Sequence, residues 1–406
     1  MDASPPDEAR DTGERRGRAA RRRALLLRRG VALGAAALAT AAIWLLLFRD
    51  TGGSEGEDRG GQGRGVSEPV AGLVRQMTVP ERVDQLLLYG FKGTDATAPL
   101  VAELGERQLG GVLITRRNWI DPAQGRQLVG TLRAAGLQGN RISPLLVTAQ
   151  EGAEYNSLAG LPPTIRQLDI GRDADAAATE DLVAGAAGEL RAVGLDLNLA
   201  PVADVATIAS PLAGRVFSDD AAVAAELTAA AIRGCEAGGI ACAVLHFPGQ
   251  GAASQDTAEG PATVSLDPVS LENRDLAPFR AAFAERVPAV VLSLAFFAAY
   301  DPITPAALAP EVATRLLREE LGYEGLAITD DLSGGAIKAT QSVASAAVAA
   351  IAAGTDMVQV SAPADQPGVA EALLQAVESG QIPEDRLNEA AGRVLELKRT
   401  QGLLRL

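Results

Sequence analysis

Eight short apolar runs recur along the chain, and long amphipathic or loop segments separate them. They are QLLLYGF (85–91), GGVLITR (110–116), PLLVTAQ (144–150), LDLNLAPV (195–202), ACAVLHF (241–247), AVVLSLAF (289–296), GLAITDD (325–331) and DMVQVSA (356–362). Each is hydrophobic almost throughout instead of alternating, the pattern of a strand covered on both faces. Between them lie helical stretches such as AAVAAELTAAAIRGCEAGG, PEVATRLLREELGY and SVASAAVAAIAAG. Several of these end at Gly, the residue that most readily takes a left-handed C-cap. Strand and helix in regular alternation require a parallel sheet.

Eight such units predict an α/β fold, a closed (β/α)8 TIM barrel; a miscount by one leaves a doubly wound open sheet as the alternative. Barrel active sites sit at the C-terminal ends of the strands. Polar residues collect there: Arg116 and Asn118, Gln150 and Glu151, Asp204, His246, Ser293, and Asp330 with Asp331. Any one of them could mark only the point where a strand gives way to a polar loop. Two adjacent carboxylates directly after an apolar strand, in TDDLSGG, exceed what a helix cap needs.

The N-terminal region has a different character. Residues 31–48, VALGAAALATAAIWLLLF, are uncharged and apolar, preceded by RRRALLLRR. Eighteen such residues are just enough to span a bilayer. The Arg excess places residues 1–30 in the cytoplasm as an Arg-rich tail and the remainder outside the cell membrane. A cleaved signal peptide competes with this reading, but IWLLLF continues the apolar core past the small residues of ALATAA. Residues 49–68 are Gly-rich and charged, the composition of a flexible linker. The expected domains are therefore tail (1–30), transmembrane signal anchor (31–48), linker (49–68) and barrel (69–406).

The formal charge of −14 argues against a nucleic-acid partner, which selects for a basic face. One His and two Cys supply too few ligands for a structural zinc site, and no metal or other cofactor is expected. Cys235 and Cys242 read as two small buried residues packing as hydrophobes, not as a disulfide framework.

The motifs resemble glycoside hydrolase family 3, and within it the bacterial β-N-acetylhexosaminidases. MTVPERVDQLLLYGFKG (77–93), GGVLITRRN (110–118), AQEG (149–152), LNLAPVADV (197–205), GRVFSDD (214–220), HFPGQG (246–251), GLAITDDLSGGAI (325–337) and AIAAGTDMVQV (350–360) follow in that family's order. The resemblance covers roughly residues 75–400 and implies a retaining mechanism on a carbohydrate substrate. The family nucleophile maps to Asp330, which the residues alone also favour: an Asp at the C-terminal end of a strand. Arg215, His246, Glu151 and Asp204 map to substrate-binding positions. The alternatives are a packing role for His246 and a surface salt bridge for Arg215.

The family's acid/base loop, Lys-His-Phe-Pro-Gly-His-Gly followed by Asp-Ser-His, is degenerate in this chain. Leu245 replaces the Lys, Gln250 the second His, and Asp256-Thr257-Ala258 the Asp-Ser-His. The Asp of Asp-Gln-Glu-Gly-Gly-Arg is Ala149. A missing general acid costs typically 10²–10⁴ in rate. The expectation is a membrane-anchored glycosidase of β-linked amino sugars. Asp256 would be its possible acid/base, with Glu259 or Glu154 as substitutes. The alternative is a carbohydrate-binding pseudoenzyme at the outer face of the membrane. The sequence leaves the oligomeric state open.

Overall fold

The structure is a computed structural model that describes residues 65–138 and 142–404. The expected tail, the anchor and most of the linker lie outside these residues. None of the described helices is long and apolar enough to cross a membrane. The first described element is the helix Glu68–Gln76.

Among the described residues eleven strands follow in chain order: β1 (Leu87–Gly90), β2 (Gly111–Leu113), β3 (Leu145–Thr148), β4 (Leu197–Asn198), β5 (Ala241–Phe247), β6 (Thr263–Val264), β7 (Ala289–Leu292), β8 (Phe296–Phe297), β9 (Asp301–Pro305), β10 (Leu326–Thr329) and β11 (Val358–Val360). Eight of them form one parallel sheet in the order β10-β7-β5-β4-β3-β2-β1-β11. A parallel bridge between Ile328 and Met357 brings the two ends together. The sheet is thus a barrel, and every apolar run of the sequence supplies one of its strands. The doubly wound alternative is excluded.

Alternation along the strands divides the core. Leu88, Leu113, Val147, Leu197, Ala243, Val291, Ile328 and Met357 meet in one cluster inside the barrel. Their neighbours Leu146, Val244, Val290, Ala327 and Val358 pack outward in a larger cluster with the helices. Both faces are dry, which is why the strands read as unbroken apolar runs.

The run 289–296 conceals a break. β7 stops at Leu292, and Phe296 already belongs to a separate small sheet of order β6-β8-β9. Leu294 and Ala295 between them are as buried as the strand before, so hydrophobicity carries no sign of the change.

Helix ends follow their local chemistry. In the helix Ala221–Gly238, the Asp220 carboxylate accepts from the backbone N–H of Ala222 at 2.8 Å and of Val223 at 3.2 Å. Gly239 ends it in the left-handed region at φ 77°. The helix Val343–Ala353 ends at Gly354, φ 117°, where a Cβ would lie 2.3 Å from Thr314 Oγ1.

One expectation is corrected. Cys235, in the last turn of the helix Ala221–Gly238, and Cys242, in β5, form a disulfide with Cα atoms 6.2 Å apart. The crossover returns the chain so directly into the next strand that two residues only seven apart come within bonding range.

At the other end of the barrel, the C-terminal helix Glu384–Thr400 packs Val394 and Leu397 into the barrel interior. Its Lys398 is fully buried and donates to Gln85 Oε1 at 2.6 Å and to the Leu109 carbonyl at 3.2 Å. Nearby, the buried Asp356 accepts from Arg318, Arg386 and Arg393. Charge at this end is absorbed in closing the barrel and leaves the opposite mouth as the place for a site.

Candidate active site

His246 is the sixth residue of β5 and is 3% exposed. Its Nδ1 lies 2.7 Å from Oδ2 of Asp204, a fully buried residue on the loop after β4. Burial opposes a charged imidazole, but the adjacent Asp204 carboxylate outweighs it and holds the His246 pKa above its usual value, with help from Asp330. Oδ1 of Asp204 accepts from the Gln250 backbone N–H. With both oxygens engaged by protein donors, Asp204 acts on the site through His246 and the start of the following loop. Nε2 of His246 makes no hydrogen bond to any described residue.

A second pair stands at the mouth. Arg215 donates from Nε and Nη2 to the two oxygens of Glu151, each at 2.7 Å, in a bidentate fork. The Glu151 side chain is 6% exposed and that of Arg215 20%. Burial works against the Arg215 charge, but Glu151, Asp330 and Asp256 together raise its pKa. The pair is part-buried, with the Glu151 carboxylate inside, so it is not the fully exposed surface salt bridge considered for Arg215. Glu151 is consumed in holding Arg215, as Asp204 is in holding His246.

Asp330 follows β10 directly, and its backbone N–H donates to the Leu292 carbonyl of β7 at 2.9 Å. Interior residues of β10 alternate as Leu326 and Ile328, so the next inward position is Asp330. Its Oδ1 accepts from the Asp331 N–H at 2.7 Å, and its Oδ2 lies 3.4 Å from Thr257 Oγ1. The negative charge of Asp330 acts on both Arg215 and His246, so the three share one electrostatic neighbourhood. Asp331 instead turns to the backbone, accepting from Ser333 and Ser361 N–H groups at 3.0 Å each.

The loop after β5 docks on the turn after β10. Backbone N–H groups of Gly335 and Ala336 donate to the carbonyls of Ala258 and Thr257 at 2.9 and 3.0 Å. A Cβ at Gly335 would lie 2.3 Å from the Glu259 carbonyl, so this approach needs glycine. Within the loop, Asp256 Oδ1 accepts from the Ala258 N–H at 2.9 Å, and the same Asp256 acts electrostatically on Arg215. Glu259 is exposed, and the half-exposed Glu154 carboxylate sits 3.7 Å from Arg166.

Beneath the loop runs a polar chain that inspection of the sequence does not reveal. Ser293 Oγ donates to Gln250 Oε1 at 2.5 Å, Gln250 Nε2 donates to Thr257 Oγ1 at 3.3 Å, and Thr257 reaches Asp330. All three uncharged members are buried. Gln250 and Thr257 stand out in the sequence only as departures from a motif; that they complete one another depends on contacts across 43 and 73 residues.

Three other strand-end residues are loop anchors. Arg116 donates to the carbonyls of Glu154 and Asn156, Asn118 to those of Phe91 and Gly93, and Gln150 to those of Leu158, Leu161 and Pro162.

The barrel and this mouth have known relatives. The sequence model of the glycosyl hydrolase family 3 N-terminal domain matches residues 78–397. The chain belongs to glycosyl hydrolase family 3. A β-hexosaminidase of Stenotrophomonas maltophilia is 32% identical over 321 residues, covering 76% of this chain and 91% of the relative. A β-N-acetylglucosaminidase from a Paenibacillus species superposes with a TM-score of 0.77 at 33% identity, covering 81% of this chain; the match spans 65% of that enzyme's length. A β-N-acetylhexosaminidase from Beutenbergia cavernae gives a TM-score of 0.72 at 28% identity over 80% of this chain and 99% of its own. These relatives put the chain in the β-hexosaminidase branch of the family, among hydrolases of glycosidic bonds.

Proposed function

We propose that this family 3 hydrolase is a retaining β-N-acetylhexosaminidase with Asp330 as its nucleophile. The observation that carries the reading is the position of Asp330. Asp330 directly follows the interior positions Leu326 and Ile328 of β10 and shares one electrostatic neighbourhood with Arg215 and His246, which Glu151 and Asp204 hold in place. In the first step an Asp330 oxygen bonds to the anomeric carbon as the glycosidic C–O bond breaks, and the leaving oxygen takes a proton. In the second, water displaces Asp330 at the same carbon and gives up a proton. The Asp331 N–H steadies one carboxylate oxygen while the other attacks. Arg215 and Nε2 of His246 bind sugar hydroxyls.

Asp256 is the acid/base of this reading. It lies on the docked loop and shares the Arg215 neighbourhood, but no imidazole accompanies it, since Ala258 follows Thr257. That absence favours the second reading, a carbohydrate-binding protein with impaired turnover. The barrel is placed outside the cell, tethered to the membrane by residues 31–48. The Cys235–Cys242 disulfide supports this placement, because such bonds persist in oxidising compartments.

Incubating the full-length chain with an activated 2- or 5-fluoro glycoside tests the proposal. A covalent adduct on the peptide containing Asp330, absent in Asp330→Asn, is the expected result. Absence of adduct and of aryl-glycoside hydrolysis across a sugar panel, with ligand binding intact, would leave only the binding reading standing.

A further inference from the structure

Gln359 carries a buried amide oxygen that the protein does not use. It lies in the middle of β11, next to β10 and in register with Leu88 of β1. Met357 points into the barrel while Val358 and Val360 pack outward, so alternation puts Gln359 on the interior side. Its backbone is fully engaged: the N–H donates to Thr329 Oγ1 at 3.0 Å, and the carbonyl accepts from Leu332 N–H at 2.9 Å. The side chain is not. Gln359 is 8% exposed, and its Oε1 is buried without a hydrogen-bond partner among the described residues. Ile328 pairs with Met357 across the β10–β11 seam, so one inward step along each strand sets Gln359 beside Asp330.

The far wall of the barrel has the opposite character. Ala149, just past β3, Leu199, just past β4, and Leu245 of β5 all join the apolar interior cluster. In the barrel interior below Arg215 and His246, Asp330 and Gln359 stand together on β10 and β11 and face this hydrocarbon. Buried amides are ordinarily paired. An amide needs an acceptor for its N–H and a donor for its C=O, and a sugar hydroxyl supplies both.

We propose that Gln359 is a specificity-determining ligand of the sugar bound at Asp330, its side-chain amide exchanging hydrogen bonds with one ring hydroxyl while the opposite edge of the sugar lies on Ala149, Leu199 and Leu245. This rests on the glycosidase reading for the position of the sugar but not on turnover. It predicts that one ring hydroxyl is read by Gln359, apart from those read at the mouth by Arg215 and His246.

Calorimetric titration of the full-length Asp330→Asn protein with an N-acetylhexosaminide and its 3-, 4- and 6-deoxy analogues tests the assignment. The same series is then run with Gln359→Met added. The amide should be worth about 10- to 100-fold in Kd for the parent sugar. One deoxy analogue should bind both proteins equally, because the hydroxyl that Gln359 reads is already gone. Gln359→Met removes an unpaired buried amide and should melt no lower than the parent; Gln359→Glu, which keeps the acceptor and loses the donor, should bind with intermediate affinity. Equal losses for every analogue, unchanged affinity for the parent sugar, or no binding by either protein would overturn the assignment. Binding discrimination that survives in a protein without hydrolysis would instead retain Gln359 and defeat the hydrolase reading. In an active protein the effect should fall on KM, with kcat nearly unchanged.

Discussion

Replacing Asp204 by Asn tests the electrostatic core of the site at nearly constant volume. The Asp204 carboxylate is fully buried, 2.7 Å from His246 Nδ1, and it holds the imidazole pKa above 6.5. A group whose pKa is raised on folding contributes stability that is complete below its unfolded value and is lost as the pH climbs through the folded one. In Asp204→Asn the imidazolium would be buried without a counter-ion. At pH 5.5 the substitution should therefore cost about 3–5 kcal/mol, the usual effect of breaking a buried pair. Above the folded pKa the imidazole is neutral in both proteins. Only a hydrogen bond to a charged acceptor is then lost, worth about 1.5–3 kcal/mol. Urea unfolding at pH 5.5, 7.0 and 8.5 should show the gap between the proteins closing as pH rises. His246 is the chain's single histidine, so its Hε1 proton resonance is assigned without further labelling in protein free of a histidine tag. That resonance should titrate above 6.5 in the native protein and below it in Asp204→Asn. A native His246 that titrates at or below 6.5, or a stability gap that does not vary with pH, would refute this account of the pair.

Two other outcomes are expected. Ala258→His restores an imidazole two residues from Asp256 on the docked loop; hydrolysis of glycosides with poor leaving groups should rise by about 10²–10⁴, and that of activated aryl glycosides far less, as kcat measurements across a leaving-group series would show. Replacing both Cys235 and Cys242 by Ala should lower stability by about 2–3 kcal/mol, the amount expected for so short a loop, without changing the affinity of Asp330→Asn for a glycoside; the urea midpoint reports the first and calorimetry the second.

The barrel was legible in the sequence for a simple reason. Strands dry on both faces and helices with one dry stripe leave periodic traces that need no partner to be recognised, and eight of the former predict closure. The polar end of the barrel was legible too, because His246 and Asp330 interrupt the apolar pattern where strands end, and Arg215 fits a motif in the loop after β4. Pairing was not. Nothing local distinguishes Asp204, which holds His246, from a residue that touches the sugar, or Gln150 and Asn118, which anchor loops, from ligands of the mouth. The disulfide was hidden because spacing alone does not say that a crossover returns a helix to its strand at bonding distance. The chain Ser293–Gln250–Thr257–Asp330 is hidden for the same reason, its members meeting only when three strand ends converge. Gln359 is the sharpest case: in DMVQVSA it is one polar residue in an apolar strand, and only closure of the barrel turns it inward beside Asp330 with its amide oxygen unpaired. Sequence by itself determined the architecture and the end of the barrel where polar residues gather, because both follow from local periodicity; tertiary structure alone decided which polar groups pair with one another and which remain unpaired, because that depends on contacts between residues distant in the chain.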